Sequence, residues 1–350
     1  MMSCVLTSET KEGEKIACVP VVDALGREVM IPDTIRKVVC LGPSAIRMVT
    51  YSGGVPFICA VEKQETIPHP YTHQVAYPEL KELPMIVPDS KDYPDRIAEN
   101  APDLIFLTTS VPGEADELQL KTRVPVIALD DGDMGGNRGK FYASLRLIGS
   151  VLRTSAKVDS LIRYIDSQIS DLASRARSDA PVKRPNVYVG GISVNGGIRD
   201  LTSTDPFYPA FRYIRALNVA SEIESQSLSA RNGLHINEKK LLDWNPEIMF
   251  IDVSAAGLVR ESFHNRISEA HFTDAYKRKR VFVLWPSANS HANFEVMLIN
   301  AWYAGSILYP ENFEDIDVME KADEVLTAFV GKPIAGNLAE TWGPYRNLWD

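Results

Sequence analysis

The sequence predicts an α/β protein made of two similar parallel-sheet lobes bridged by one long α-helix, with a ligand cleft between the lobes. Three observations carry this prediction. Short continuous apolar runs bounded by Gly, Pro and Asn read as parallel strands covered on both faces. The runs of the first half return in the same order in the second half. Between the halves lies one long amphipathic stretch, Ser155 to Arg177.

That stretch places Val158, Leu161, Ile162, Ile165, Ile169, Leu172, Ala173 and Ala176 at helical spacing, with Lys157, Arg163, Asp166 and Arg175 turned outward. Ser155 is the expected cap, and Pro181 and Pro185 forbid continuation. Ahead of it, residues 21–29 read as a hairpin turning at Leu25-Gly26 and ended by Pro32. Lys37 to Leu41 is a strand that passes through Gly42-Pro43 into a helix at Ser44; residues 57–61, 104–107 and 124–129 supply further strands. In the second half residues 186–193 echo 37–44, residues 245–251 echo 101–107, and residues 280–284 echo 123–127, all at an offset of about 150 residues. The resulting division is a leader or tether over residues 1–18, an N-terminal lobe over 19–153, the bridging helix over 154–180 and a C-terminal lobe over 181–350.

Composition narrows the class. At 350 residues and 45% apolar, the chain buries a sizeable core in two domains. A formal charge of -9 argues against a nucleic-acid partner, which calls for a basic face. No apolar run reaches the ~20 residues that span a bilayer. The N-terminus as given lacks the charged and apolar regions of a secretory signal, yet Met2-Ser3-Cys4 matches the tail of a lipoprotein cleavage site and is followed by a polar tether, which leaves a lipid anchor at Cys4 open. Cys40 and Cys59 fall in apolar strands and read as buried structural thiols rather than as a zinc or redox pair.

No GxSxG, HExxH, GxGxxG or Walker A loop is present; Gly135 to Phe141 lacks the first glycine and the final hydroxyl of a phosphate loop. The strand ends instead offer recognition groups. Pro43, Ser44 and the amides behind them open a helix N-terminus with Arg47 one turn away, which reads as an anion site or as a plain cap. Glu62 and Ser110 lie just beyond two other strands. Gly191 and Arg199 belong to a glycine-rich loop, and Ser203-Thr204-Asp205-Pro206 reads as a cap with proline at the first helical position. His69, Tyr71 and His73 form a proline-flanked group, read either as metal ligands (His69, His73) or as an aromatic cleft wall. Trp285 and Asn289 end another strand, where Trp285 is either a cleft-lining ring or a packing residue.

These stretches resemble the helical-backbone class (class III) of ABC-transporter solute-binding proteins, the group with receptors for ferric siderophores, haem and cobalamin. The resemblance is carried by Asp23 to Val29, Leu41-Gly42-Pro43-Ser44-Ala45-Ile46-Arg47-Met48, residues 77–84, Tyr188-Val189-Gly190-Gly191, Leu217 to Ala220 and Leu242-Asp243-Trp244-Asn245-Pro246-Glu247 through Asp252. It implies a periplasmic or lipid-anchored monomeric receptor, not an enzyme, with no cofactor of its own and a ligand containing iron or another metal. It further implies a membrane permease dimer as partner, met by Asp95 and Glu238 at corresponding places in the two lobes. Two alternatives stand beside this reading. One is a molybdate- or tungstate-type oxyanion receptor of the same fold using Ser44, Arg47 and backbone amides; the other is a two-lobed metal-dependent enzyme using His69, His73 and Glu62.

Overall fold

The computed structural model describes residues 17–67, 71–88, 90–109, 111, 113–177, 184–192, 200–223, 234–265, 269–289 and 291–350. Its contacts divide the chain into two compact units. One runs to Ile162 and takes in Phe329–Gly331; the other comprises Arg163–Ala328 and Lys332–Asp350.

In the first unit β1 (Cys18–Val22) and β2 (Glu28–Pro32) precede β3 (Val38–Leu41), α1 (Ala45–Tyr51), β4 (Ile58–Glu62), α2 (Lys63–Thr66), α3 (Thr72–Ala76) and β5 (Met85–Ile86). Then come α4 (Tyr93–Glu99), β6 (Leu104–Thr108), α5 (Glu114–Thr122), β7 (Val126–Leu129), α6 (Arg138–Val151) and the long helix α7 (Ser155–Arg175). The second unit continues with β8 (Asn186–Gly190), β9 (Ser203–Thr204), α8 (Pro209–Tyr213), β10 (Leu217–Asn218), β11 (Leu234–His235), α9 (Glu238–Trp244), β12 (Ile248–Asp252) and α10 (Val253–His264). It closes with α11 (Asp274–Lys277), β13 (Val281–Leu284), β14 (Ala288–Asn289), β15 (His291–Ala292), α12 (Phe294–Leu308), α13 (Val318–Val330), α14 (Ala335–Trp342) and β16 (Arg346–Asn347).

The first unit holds a five-stranded sheet in the order β5-β4-β3-β6-β7, parallel throughout. Every residue of β3, β6 and β7 is buried, as continuous apolar runs require when helices cover both faces. One face packs Val39, Leu41, Ile105, Leu107, Val126 and Ala128 against Ile97 of α4 and Leu118 of α5. The β1–β2 hairpin turns where the Asp23 carboxylate accepts the amides of Leu25 and Arg27, each at 3.0 Å.

The second unit repeats the plan in the order β10-β8-β12-β13-β16, parallel except for β16, which runs antiparallel to β13. The duplication extends to single backbone groups. The amide of Asp103 donates to the Lys37 carbonyl at 2.9 Å, and that of Glu247 to the Asn186 carbonyl at 2.9 Å. Before each of these acids the chain leaves a helix through a left-handed residue, Ala101 (φ 45°) or Asn245 (φ 44°). Gly42 and Gly191, just past the corresponding strands β3 and β8 of the two units, have φ 78° and 79°.

Gly42 allows a definite expectation. A Cβ there would lie 2.7 Å from the Thr108 carbonyl oxygen, which is backbone and cannot rotate away. With the left-handed strain added, Gly42→Ala is expected to destabilise the protein by about 2–4 kcal/mol; a urea midpoint unchanged from wild type would refute the clash.

Two expectations about helices need correction. The long helix is one continuous element, and the division between the units falls within it, between Ile162 and Arg163. Ser155, however, is its first helical residue rather than its cap: the carbonyl of the preceding residue, Thr154, accepts from Lys157 at 3.0 Å and Val158 at 3.2 Å. Its apolar stripe is buried at Val158, Leu161, Ile162, Ile165 and Leu172. Ser203-Thr204-Asp205-Pro206 does not start a helix either. Ser203 and Thr204 form β9, paired antiparallel with β11, and the helix begins only at Pro209, because Asp205 spends its carboxylate on a turn to the Phe207 amide.

Candidate functional site

Ligands of parallel α/β sheets meet the protein beyond the carboxyl ends of the strands, and in the first unit those ends gather four of the expected residues. β3 leads through Gly42 and the exposed Pro43 to Ser44, and β4 ends at Glu62. Ser44 stands at the start of α1 but does not cap it. Its hydroxyl donates to the Asp131 carboxylate at 2.8 Å, and its amide donates to the Thr108 hydroxyl at 3.2 Å. The Gly42 amide in turn donates to the Glu62 carboxylate at 2.9 Å. Of the groups expected to meet an anion, the Ser44 hydroxyl and amide are thus engaged with oxygens of the protein itself.

Arg47 follows the same pattern. It is only 2% exposed, because α1 turns it inward, and its guanidinium carbon lies 4.6 Å above the centre of the Tyr71 ring. That ring is stacked parallel to the His73 imidazole, with centres 5.8 Å apart. His73 Nε2 lies 2.6 Å from Glu65 Oε2, which also accepts from the Gln74 side-chain amide at 2.9 Å. Arg47, Tyr71, His73 and Glu65 form one layered group drawn from α1, α2 and the segment opening α3. Tyr71 is buried within it, so it is not the exposed aromatic wall expected from the sequence. The hydroxyl and amide of Ser44 already have partners within the chain, and the Arg47 guanidinium lies against the Tyr71 ring.

The electrostatics agree with the geometry. Burial raises the Glu65 pKa, but the hydrogen bonds and charge of His73, the Gln74 amide and the Arg47 charge outweigh it and hold the carboxyl below its usual 4.5. A carboxyl with a depressed pKa stabilises the fold fully above its unfolded value and loses that contribution as pH falls through the lower folded value. Glu65→Gln is therefore expected to lose less stability than wild type between pH 5 and about pH 3; parallel urea titrations with equal acid slopes would count against it. Beside this carboxylate a hollow of about 170 Å³ opens to solvent, bordered by Glu65, Gln74, Tyr77 and Lys81. Cys40, within β3, is a free thiol whose pKa burial pushes well up, and Cys59 in β4 is free and half-buried.

In the second unit the expected residues serve the fold. Gly191 is buried, and a Cβ on it would meet the Ala255 Cβ at 2.6 Å, so its close approach is to α10 rather than to a ligand. Ser203 and Thr204 are buried, their hydroxyls donating to the carbonyls of Asp200 and Val189. Trp285 is not a presented ring. It is 1% exposed, its Nε1 donates to the Gly343 carbonyl at 2.9 Å, and it packs on Tyr345 and Trp342 at 4.8 and 5.4 Å. Asn289 lies in β14, opposite His291. His69, Ser110 and Arg199 lie outside the described residues. Among the described residues no group of three or more His, Cys, Asp or Glu side chains is placed to hold a metal ion, and the Nε2 of His73 faces Glu65.

Asp95 is exposed in the first turn of α4, and Glu238 opens α9, the two helices that precede β6 and β12. Glu65, Thr108 and Asp131 are the site residues that sequence reasoning missed. Thr108 ends β6, Asp131 lies two residues past β7 and Glu65 three past β4, so position at a strand end could have pointed to each.

Comparison with known proteins follows this geometry. The family model described as periplasmic binding protein matches residues 38–288. Molybdate-binding protein MolA of Haemophilus influenzae is 20% identical over 328 residues, 88% of this chain and 90% of its own. Among solved structures, MolA bound to molybdate aligns with a TM-score of 0.68 and 18% identity, covering 90% of this chain and 98% of MolA. A periplasmic solute binding protein from Veillonella parvula aligns at 0.70 with 14% identity, covering 93% and 96%. CeuE of Helicobacter pylori aligns at 0.61 with 14% identity, covering 93% and 99%. No helix among the described residues is long and apolar enough to cross a membrane.

Proposed function

Because the chain belongs to the periplasmic binding protein family, whose model matches it over residues 38–288, we propose that it captures an iron chelate of siderophore type, or a related metal complex, and delivers it to an ABC permease. The protein is a binding protein, not an enzyme, and its fold is that of the solute-binding proteins of ABC importers.

One observation supports the choice of ligand: at the strand ends of the first unit, carboxylates already occupy the donors. Glu62 holds the Gly42 amide and Asp131 the Ser44 hydroxyl. An arrangement whose hydrogen-bond donors already meet carboxylates disfavours a small free oxyanion and suits a bulky neutral or cationic complex. The second reading, an oxyanion receptor, is favoured by the likeness to MolA, which binds molybdate. In either reading the receptor works outside the cytoplasmic membrane, periplasmic or lipid-anchored, and presents Asp95 and Glu238 to the permease.

A thermal-shift and calorimetry screen separates the readings. Its ligands are a neutral ferric trihydroxamate, a trianionic ferric tricatecholate, haemin, cobalamin, molybdate and tungstate. A chelate is expected to stabilise the protein in proportion to RT ln(1 + [L]/Kd), about 2.7 kcal/mol at a hundredfold excess over Kd. Stabilisation by molybdate or tungstate, with none by any metal complex, would transfer the function to the second reading.

A further inference from the structure

We propose that Asp131 is the specificity-determining residue of this receptor: its carboxylate engages the Ser44 hydroxyl and so denies that donor to a free oxyanion. The inference rests on the binding function proposed above and names the side chain that makes it prefer neutral or cationic complexes to small anions.

The turn from β3 into α1 lies at the centre of a sheet ordered β5-β4-β3-β6-β7, and its donors are answered from three other strand ends. Glu62, the last residue of β4, takes the Gly42 amide at 2.9 Å. Thr108, the last residue of β6, takes the Ser44 amide at 3.2 Å. Asp131, two residues past β7, takes the Ser44 hydroxyl at 2.8 Å. The two amides are aimed by the backbone, whereas the hydroxyl rotates about its Cβ–Oγ bond and can change acceptor. Its acceptor here is a carboxylate, which makes the bond charge-assisted and of the stronger kind. A tetrahedral oxyanion calls for the same proton.

Asp131 is set in place by the residues on either side of it. The Asp130 carboxylate accepts from the Gly132 amide at 2.9 Å and the Lys140 ammonium at 2.7 Å, and the Asp130 carbonyl accepts from the Ser144 hydroxyl at 2.7 Å. Beyond it, the Asp133 carboxylate accepts from the amides of Gly135 at 2.6 Å and Asn137 at 2.8 Å. The loop closes so tightly on the start of α6 that a Cβ at Gly132 would lie 2.5 Å from the Asn137 carbonyl oxygen. A carboxylate positioned in this way loses little freedom by engaging Ser44, so an incoming anion has to displace a pre-organised acceptor. Ser44 is 0% exposed and Asp131 is half-buried, so a ligand at the carboxyl end of the sheet meets the carboxylate before the hydroxyl.

The test is a selectivity ratio, measured by calorimetry on the full chain: affinity for molybdate relative to the neutral ferric trihydroxamate. In Asp131→Ala, which releases the Ser44 hydroxyl and removes a negative charge, this ratio is expected to rise roughly tenfold or more. Asp131→Asn keeps the shape and loses only the charge; its ratio is expected to rise as well, so the proposal stays testable should Asp131→Ala fail to fold. Adding Ser44→Ala to Asp131→Ala deletes the released donor and is expected to return most of the gain, a response that a merely structural aspartate would not show. A folded Asp131→Ala or Asp131→Asn protein with the wild-type ratio, or a double variant that keeps the whole gain, would overturn the proposal. Wild-type protein that binds no metal complex would instead refute the proposed function, while the molybdate affinity of Asp131→Ala against that of wild type would still decide the role of Asp131: a rise supports it, and no change overturns it.

Discussion

Trp285→Ala will unfold at markedly lower denaturant concentration than wild type, with a loss of about 3–5 kcal/mol, the usual cost of emptying a buried tryptophan site. The ring is 1% exposed, so truncation leaves a cavity lined by Tyr345 and Trp342, and the Gly343 carbonyl loses its Nε1 donor. The residue also holds the end of the chain, since Asn300, which donates to the Trp285 carbonyl at 2.9 Å, accepts from the Tyr345 hydroxyl at 2.7 Å. Equilibrium urea unfolding followed by far-ultraviolet circular dichroism measures the loss. A variant with wild-type stability and weakened ligand affinity would instead return Trp285 to the binding surface.

The second large effect is functional. Asp95→Arg combined with Glu238→Arg is expected to keep the fold and the ligand affinity while abolishing ligand-stimulated ATP hydrolysis by the reconstituted importer. Both acids sit in first turns of short surface helices, α4 and α9. Asp95 is exposed and Glu238 half-buried, and single surface charges of this kind contribute little to stability, typically under ~1 kcal/mol, whereas charge reversal at a docking face opposes encounter with a complementary partner. The left-handed residues Ala101 and Asn245 follow the corresponding helices α4 and α9, so the two acids lie in the first turns of equivalent helices, one in each unit. Hydrolysis stimulated normally by the double variant would remove both residues from the interface.

The legible part of this protein was whatever contiguous residues decide. The buried parallel strands Val38–Leu41, Leu104–Thr108, Ile248–Asp252 and Val281–Leu284 announce themselves as apolar runs because both faces of each are covered. The strands that escaped notice, Met85–Ile86, Leu217–Asn218 and Arg346–Asn347, are two residues long at the sheet edges, where pairing rather than local preference makes a strand. The site was legible as a set of positions but not as a set of partners. Ser44, Arg47, Glu62, Tyr71 and His73 were all named from the sequence, yet none of their contacts followed from it.

The sequence by itself determined the α/β class, the duplication and the long helix. Periodicity and turn chemistry act over a few residues, and a repeated pattern needs no knowledge of contacts. Only the tertiary structure decided what the polar groups do. The Ser44 hydroxyl finds Asp131 across 87 residues of chain, and Trp285 finds the Gly343 carbonyl across 58. Each polar group removed from water must take a partner wherever the fold brings one, and that choice set the Ser44 hydroxyl against Asp131 and made Trp285 a packing residue rather than a presented ring.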